Sequence, residues 1–334
     1  MSATLRDAFE RQAKACENLG SPFMGRLMGQ CADRVAAGTD ISDRLLTWPG
    51  DVSSNGHSVP LRLAGALHAL VLQGHALAAV YPPNTVPDDT LWQAVQTAFT
   101  TDTAHLMSWL DSPPQTNEVR RSAALLIAAS SLSAQHNLPF VLSELGTSAG
   151  LNLNFDRYGL GDYGDPASSV QLTPRLHGLL PPNAPIRVQT RAGVDLNPLD
   201  PTRDRKRLLA YLWPDQPERL ALTRAALDLV PPKPDQGDAG AWLQDRLQRR
   251  FEGALHLVFH TIAWQYFPPQ TQAACAKALA EAGAKATPTA PLAHLSMEAD
   301  DQPNGAVLAL TTWPGGKTKI LGRVDFHGRW LTLA

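Results

Sequence analysis

Three observations predict an α/β protein with a mostly parallel sheet, an all-helical region before it and an antiparallel hairpin after it. Up to about residue 135, apolar residues recur every three to four positions and strand-like runs are scarce. From residue 136 onward, short apolar runs alternate with helical segments, the pattern of strand–helix–strand crossovers with helices on both faces of a sheet. Near the C terminus, two strand-like runs flank a Trp-Pro-Gly-Gly turn. The expected division is therefore 1–135, a helical lid or acceptor region, and 136–334, the sheet domain.

The elements follow in order. Leu5, Phe9, Ala13 and Cys16 mark one helix, and Leu27, Cys31 and Val35 a second. Leu63, Leu67, Leu70 and Val71 line another, followed by Leu91, Val95 and Phe99 and then Leu106, Trp109 and Leu110. Breaks rich in Gly, Pro and Asp separate them at Thr47–Pro60, Tyr81–Asp89 and Asp111–Asn117. Ser122–Leu132 is rich in Ala and Leu. Leu138–Leu145 reads as a buried parallel strand, and Leu151–Phe155 as the start of a helix. Tyr158–Gly178 is an excursion of Gly, Asp, Pro and Ser. Ile186–Asp195 is a second strand, Asp204–Val230 a long helix and Ala241–Phe251 another helix. Leu255–His260, Thr271–Ala284 and Pro291–Glu298 continue the alternation. Ala306–Thr312 and Lys319–Phe326 form the hairpin, with Trp330–Leu333 extending its second strand.

Composition narrows the function classes. The chain has 334 residues, is 44% hydrophobic and carries a formal charge of −2. That charge argues against a protein whose main task is gripping nucleic acid. Three cysteines, Cys16, Cys31 and Cys275, are too few for a disulfide scaffold and fit free thiols in a reducing cytoplasm. The first residues are charged where a signal peptide needs an apolar run. Leu63–Pro87 has no charged residue, but two histidines and a Pro-Pro pair favour two buried helical segments over a membrane span. A small-molecule substrate is the expected partner, with no nucleic acid and no membrane.

The strongest motif is SELGTSAGLNL, Ser143–Leu153. An apolar strand ends in an acid, Glu144, and a small-residue turn opens into a helix. Gly146 and Gly150 remove Cβ atoms so that a ligand can approach the backbone, and helix N-terminal amides would face it. The alternative is a tight turn with no ligand. Asp195, in AGVDLNPLDP, ends the second strand, where a carboxylate suits a diol because it accepts hydrogen bonds side by side. It also suits a turn or helix cap, as does Asp200. Asp238, in Gly237-Asp238-Ala239, follows no clear apolar strand and fits a surface turn equally well. His260 leaves the third strand in HLVFHTIAWQYFPP and is a candidate general base. Trp264, Tyr266 and Phe267 are available to stack on a planar group or to pack together. In TNEVRRSAAL, Asn117, Glu118 and Arg120 either cap a helix or face the cleft. His260, Glu298 and His327 have no local ligand spacing, so no metal is expected.

Glu144-Leu145-Gly146-Thr147-Ser148-Ala149-Gly150 resembles motif I of class I S-adenosylmethionine-dependent methyltransferases, with Ser148 in place of the middle glycine. The stretches LRLAGALHALVLQG, TNEVRRSAAL, SELGTSAGLNLNFDRY, AGVDLNPLDP, LLAYLWPDQPERL and VFHTIAWQYFP together resemble an uncharacterised bacterial family, domain of unknown function 2332. The resemblance implies a Rossmann-like class I methyltransferase sheet and S-adenosylmethionine as cofactor. It implies that Glu144, Gly146, Thr147, Ser148 and Gly150 cradle the cofactor, that Asp195 holds its ribose and that Asp238 touches its adenine. His260 would then be the base where the acceptor must lose a proton. A non-catalytic binding module with a degenerate pocket is the alternative on the same fold.

Overall fold

The computed structural model describes residues 3–334. Seven helices come first: α1 (Ala3–Asn18), α2 (Pro22–Arg34), α3 (Asp40–Leu46), α4 (Val59–Leu72), α5 (Asp88–Thr101), α6 (Thr103–Leu110) and α7 (Ser122–His136). Local chemistry sets their starts. Ser21 caps α2 by accepting from the Met24 amide, with Pro22 at the first helical position. Thr39 and Ser42 form a reciprocal capping box on α3. Leu27, Cys31, Leu63, Leu67, Val95 and Leu106 are wholly buried in one apolar core, the three-to-four spacing seen from the sequence.

The sheet strands are β1 (Phe140–Leu145), β4 (Arg175–His177), β5 (Val188–Asp195), β6 (Asp235–Gln236), β7 (Leu255–Thr261), β8 (Leu292–Glu298), β9 (Ala306–Trp313), β10 (Lys317–Val324) and β11 (Trp330–Leu333). Strands β2 (Gly159–Leu160) and β3 (Tyr163–Gly164) form a separate small hairpin. Helices α8 (Arg205–Ala210), α9 (Pro217–Asp228), α10 (Ala239–Gln248) and α11 (Pro269–Gly283) complete the chain. The sheet order is β4-β11-β10-β9-β8-β7-β1-β5-β6. The five strands from β8 to β6 run parallel, and β8 through β11 form an antiparallel meander. Strand β1 lies inside the parallel part and every residue in it is buried, as its apolar run requires. Leu145, Val194 and Val258 pack on one face against Leu243 of α10 and Cys275 and Leu279 of α11.

Two sequence expectations are corrected. Asp204–Val230 is two helices, because Trp213-Pro214 falls where one helix would need the proline's missing N–H. Trp330–Leu333 does not extend β10. It turns back antiparallel to it, pairing Val324 with Leu331, and its other edge takes β4. That edge strand comes from the excursion after β1.

The chain packs as two compact units. One runs up to Thr116 and includes Asp204–Ala221; the other comprises Asn117–Arg203 and Leu222–Ala334. Helix α7 belongs to the sheet unit, where Leu126 meets the β3 hairpin at Gly164. All three cysteines are free and buried. Among the described residues, no helix is long and apolar enough to cross a membrane.

Candidate functional site

From β1 the chain builds outward through β5 to β6, then returns to the other side of β1 for β7 and β8. Strand order therefore reverses between β1 and β7. In open α/β sheets, ligands bind outside the carboxyl ends of the strands at such a point. The residues there are Glu144–Gly150 at and beyond the end of β1, Asp195 at the end of β5, Thr261–Trp264 at and beyond the end of β7 and Glu298 at the end of β8.

The turn after β1 is tightly tied. The Thr147 hydroxyl donates to Glu144 Oε2 at 2.5 Å. Glu144 is buried, which pushes its carboxyl up to about 8, and nearby Asp195 pushes the same way. Gly146 and Gly150 both have positive φ, +69° and +76°. Their missing Cβ atoms serve the chain itself. A Cβ on Gly146 would lie 2.6 Å from the Ala263 methyl, and one on Gly150 would lie 2.7 Å from the Pro232 carbonyl oxygen. Ser148 also has positive φ, and its hydroxyl is buried with no hydrogen-bond partner. Asp195 closes over this turn: Oδ2 accepts from the Ser148 amide and Oδ1 from the Asn197 amide, both at 2.9 Å.

The following helix is not the regular one expected. Residues Leu151–Arg157 form a short 3₁₀ segment. Its Leu151 amide donates to Asn117 Oδ1 at 2.9 Å, so that donor is already used. Glu118 caps its own 3₁₀ turn, Val119–Arg121, accepting from the backbone amide and Nε of Arg120, each at 3.2 Å. Arg120 keeps Nη2 buried without a partner. Arg121 donates to the Thr261 and Phe326 carbonyls and ties the end of β7 to the last turn of the chain.

A histidine–carboxylate cluster stands beside the turn. Glu298 Oε1 accepts from His260 Nδ1 at 2.6 Å and from the amides of Ala263 and Trp264 at 3.0 and 3.2 Å. Those amides are aimed by Ile262, a β-branched residue at φ +51°, a conformation that costs about 1–3 kcal/mol. His260 Nε2 lies 3.0 Å from His294 Nε2, and Trp264 stacks on the His260 ring with centroids 5.0 Å apart. Both His260 nitrogens are thus engaged, and a base role toward substrate would require the His294 contact to open. Burial pushes His294 down to about 3, with His260 adding in the same direction, so His294 is neutral at pH 7. Glu298 Oε2 is buried and unpartnered. Ala263 joins the two halves: its methyl packs on Gly146 and its amide donates to Glu298.

The remaining sequence candidates lie apart from this arrangement. Asp238 is the N-cap of α10. It accepts from the Gly240 and Ala241 amides and from the Thr271 hydroxyl, the last holding its carboxyl below the usual range. Tyr266 is 68% exposed. Among the described residues, no group of three or more His, Cys, Asp or Glu side chains is arranged to hold a metal.

Sequence reasoning missed His294 and the bonding of Glu298, because partners 34 and 38 residues from His260 give no local spacing. It also missed a buried relay inside the sheet unit. There Arg246 Nε donates to Ser143 Oγ at 3.0 Å, and Ser143 Oγ lies 2.8 Å from His256 Nε2. His256 and Phe251 line a cavity of about 270 Å³ at the amino ends of β7 and β8, away from the turn.

Fold and site together define a mixed α/β protein with a polar cluster at the carboxyl edge of its parallel strands. The chain belongs to the DUF2332 family, described as an uncharacterized protein conserved in bacteria, whose family model matches residues 6–333. Comparison with curated proteins gave no match.

Proposed function

We propose that this chain is a Rossmann-like, class I methyltransferase-type protein that binds S-adenosylmethionine at the turn after β1. The observation that carries the reading is the strand order: an acid-ended central strand with its turn at the reversal point, and a second acid, Asp195, at the carboxyl end of the adjacent strand. The fit of the cofactor rests on two groups. Ser148 offers a buried hydroxyl with no partner. The Asp195 carboxylate uses two of about four lone-pair positions on backbone amides, leaving two for a ribose diol. The three free thiols fit a cytoplasmic setting.

When bound, the cofactor supplies an electrophilic methyl group. The chain's own contribution is orientation, the main requirement of an in-line displacement. Asp195 would fix the ribose, and Glu144 and Thr147 would hold the turn. His260 would act through Glu298, holding that carboxylate in place, and Trp264 would wall the acceptor side. Asn117, Glu118 and Arg120 would support the turn from behind, Asn117 by holding the Leu151 amide.

One observation favours the second reading, a non-catalytic binding module on a degenerate methyltransferase fold. Gly146 and Gly150 face Ala263 and Pro232, where a working cradle would leave them open. Isothermal titration separates the readings. Micromolar binding of S-adenosylmethionine and of its demethylated product supports the first. No heat at high micromolar ligand overturns it and leaves the module.

A further inference from the structure

The helical unit holds a buried arginine, Arg62, and a half-buried one, Arg207, neither with an ion-paired counter-ion among the described residues. Arg62, on α4, is 8% exposed. Its Nε donates to the His57 carbonyl at 2.6 Å, and its Nη1 to the Leu110 carbonyl at 2.8 Å. Arg207, on α8, donates from Nη2 to the Pro113 carbonyl at 3.2 Å. Every one of these partners is neutral. Among the described residues, neither arginine has a carboxylate in ion-pairing contact, and Asp111, which acts on Arg62 electrostatically, is ion-paired with Arg44 at 3.3 Å. For Arg62, the buried one, a charge taken out of water is costly unless something of opposite sign accompanies it.

A second observation is independent of charge. Arg207 Nε and the Tyr211 hydroxyl are both buried and have no hydrogen-bond partner. Tyr211 is 7% exposed, and its ring is seated on α4 where Gly65 leaves room; a Cβ there would lie 2.4 Å from the ring. The Arg207 guanidinium carbon sits 5.5 Å from the centre of the Trp109 ring and 5.9 Å from that of Tyr211. Stacking of this kind fixes the planar fork before any ligand arrives. Arg62 lies one helical turn before Gly65 on α4, so its side chain is on the side of the helix where the Tyr211 ring is seated. A water molecule would satisfy the free donors and leave the buried Arg62 charge unanswered. An anion with several acceptor oxygens answers both.

We infer that Arg62, Arg207 and Tyr211 form an oxyanion-binding site in the helical unit, for the carboxylate or phosphate group of a small molecule. The site is independent of the cofactor, so failure of S-adenosylmethionine to bind leaves it standing. The test is thermal melting and isothermal titration at fixed ionic strength, with sodium phosphate and sodium acetate as probes and sodium chloride as reference. The expected result is saturable stabilisation by at least one of the two oxyanions, weakened ten-fold or more in Arg207→Gln. Saturation by phosphate alone or by acetate alone supports the site and identifies the group it takes. Tyr211→Phe is expected to fold, because it deletes an unsatisfied hydroxyl, and to weaken binding several-fold. It carries the test if Arg207→Gln is unfolded. Melting that follows chloride for both probes, or unchanged affinity in the folded variants, overturns the inference.

Discussion

Glu144 is the residue whose state most depends on its surroundings. Burial raises its carboxyl from the ordinary 4.5 to about 8, so the folded chain keeps a proton that the unfolded chain releases. A raised carboxyl favours folding fully below pH 4.5, and the contribution is lost as pH rises through 8. Stability should therefore decline across that window by a few kcal/mol, since each pH unit between the two values is worth about 1.4 kcal/mol. Glu144→Gln removes the titrating group. Urea unfolding from pH 4.5 to 8 should show a flatter profile for that variant than for the wild type, and parallel profiles would contradict the assignment. His256 and His294 work in the opposite direction. Burial pushes both down to about 3, with Arg246 assisting at His256 and His260 at His294. Their contribution is present above pH 6.5 and fades as pH falls toward 3. Nitrogen NMR should find both rings neutral at about pH 5, and a charged signal from either would refute the burial argument. The acids Glu144, Asp195 and Asp238 and the base candidate His260 were all legible as residues. What they touch was not. The contacts of His260 with Glu298 and with His294 span 38 and 34 residues, and the amides that occupy Asp195 exist only once the turn has closed.

At the scale of elements, the turn after β1 and the segment after β7 are one construction. Gly146 is required because its φ is positive and because Ala263 fills the space a side chain would need. Gly146→Ala should cost about 1–2 kcal/mol for the backbone and about 1–3 kcal/mol more for overpacking. Adding Ala263→Gly should recover the packing part alone. A thermal-melt double-mutant cycle checks this, and strict additivity would show that the contact carries no energy. Periodicity located the long helices and the six longer strands, because burial imposes it, but not α3 or the short strands β2, β3, β4 and β6. It misjudged Asp204–Val230, where the leucine spacing continues across Pro214. It also misjudged Trp330–Leu333, whose direction depends on a turn at Asp325–Gly328 with little apolar signal.

For the whole molecule, the alternation of strands and helices predicted a parallel sheet followed by an antiparallel edge, and both are present. The position of the edge strand β4 was beyond reach, because three residues from a polar excursion carry no pattern of their own. The central claim is that the carboxyl edge of β1 and β5 is where a small molecule binds. The most direct measurement is amide NMR on addition of the demethylated cofactor product. The account predicts saturable shifts at Gly146, Thr147 and Ser148 and at Asp195–Asn197, reduced in Asp195→Ala. Unmoved signals at these residues, or shifts confined to other parts of the chain, would contradict it.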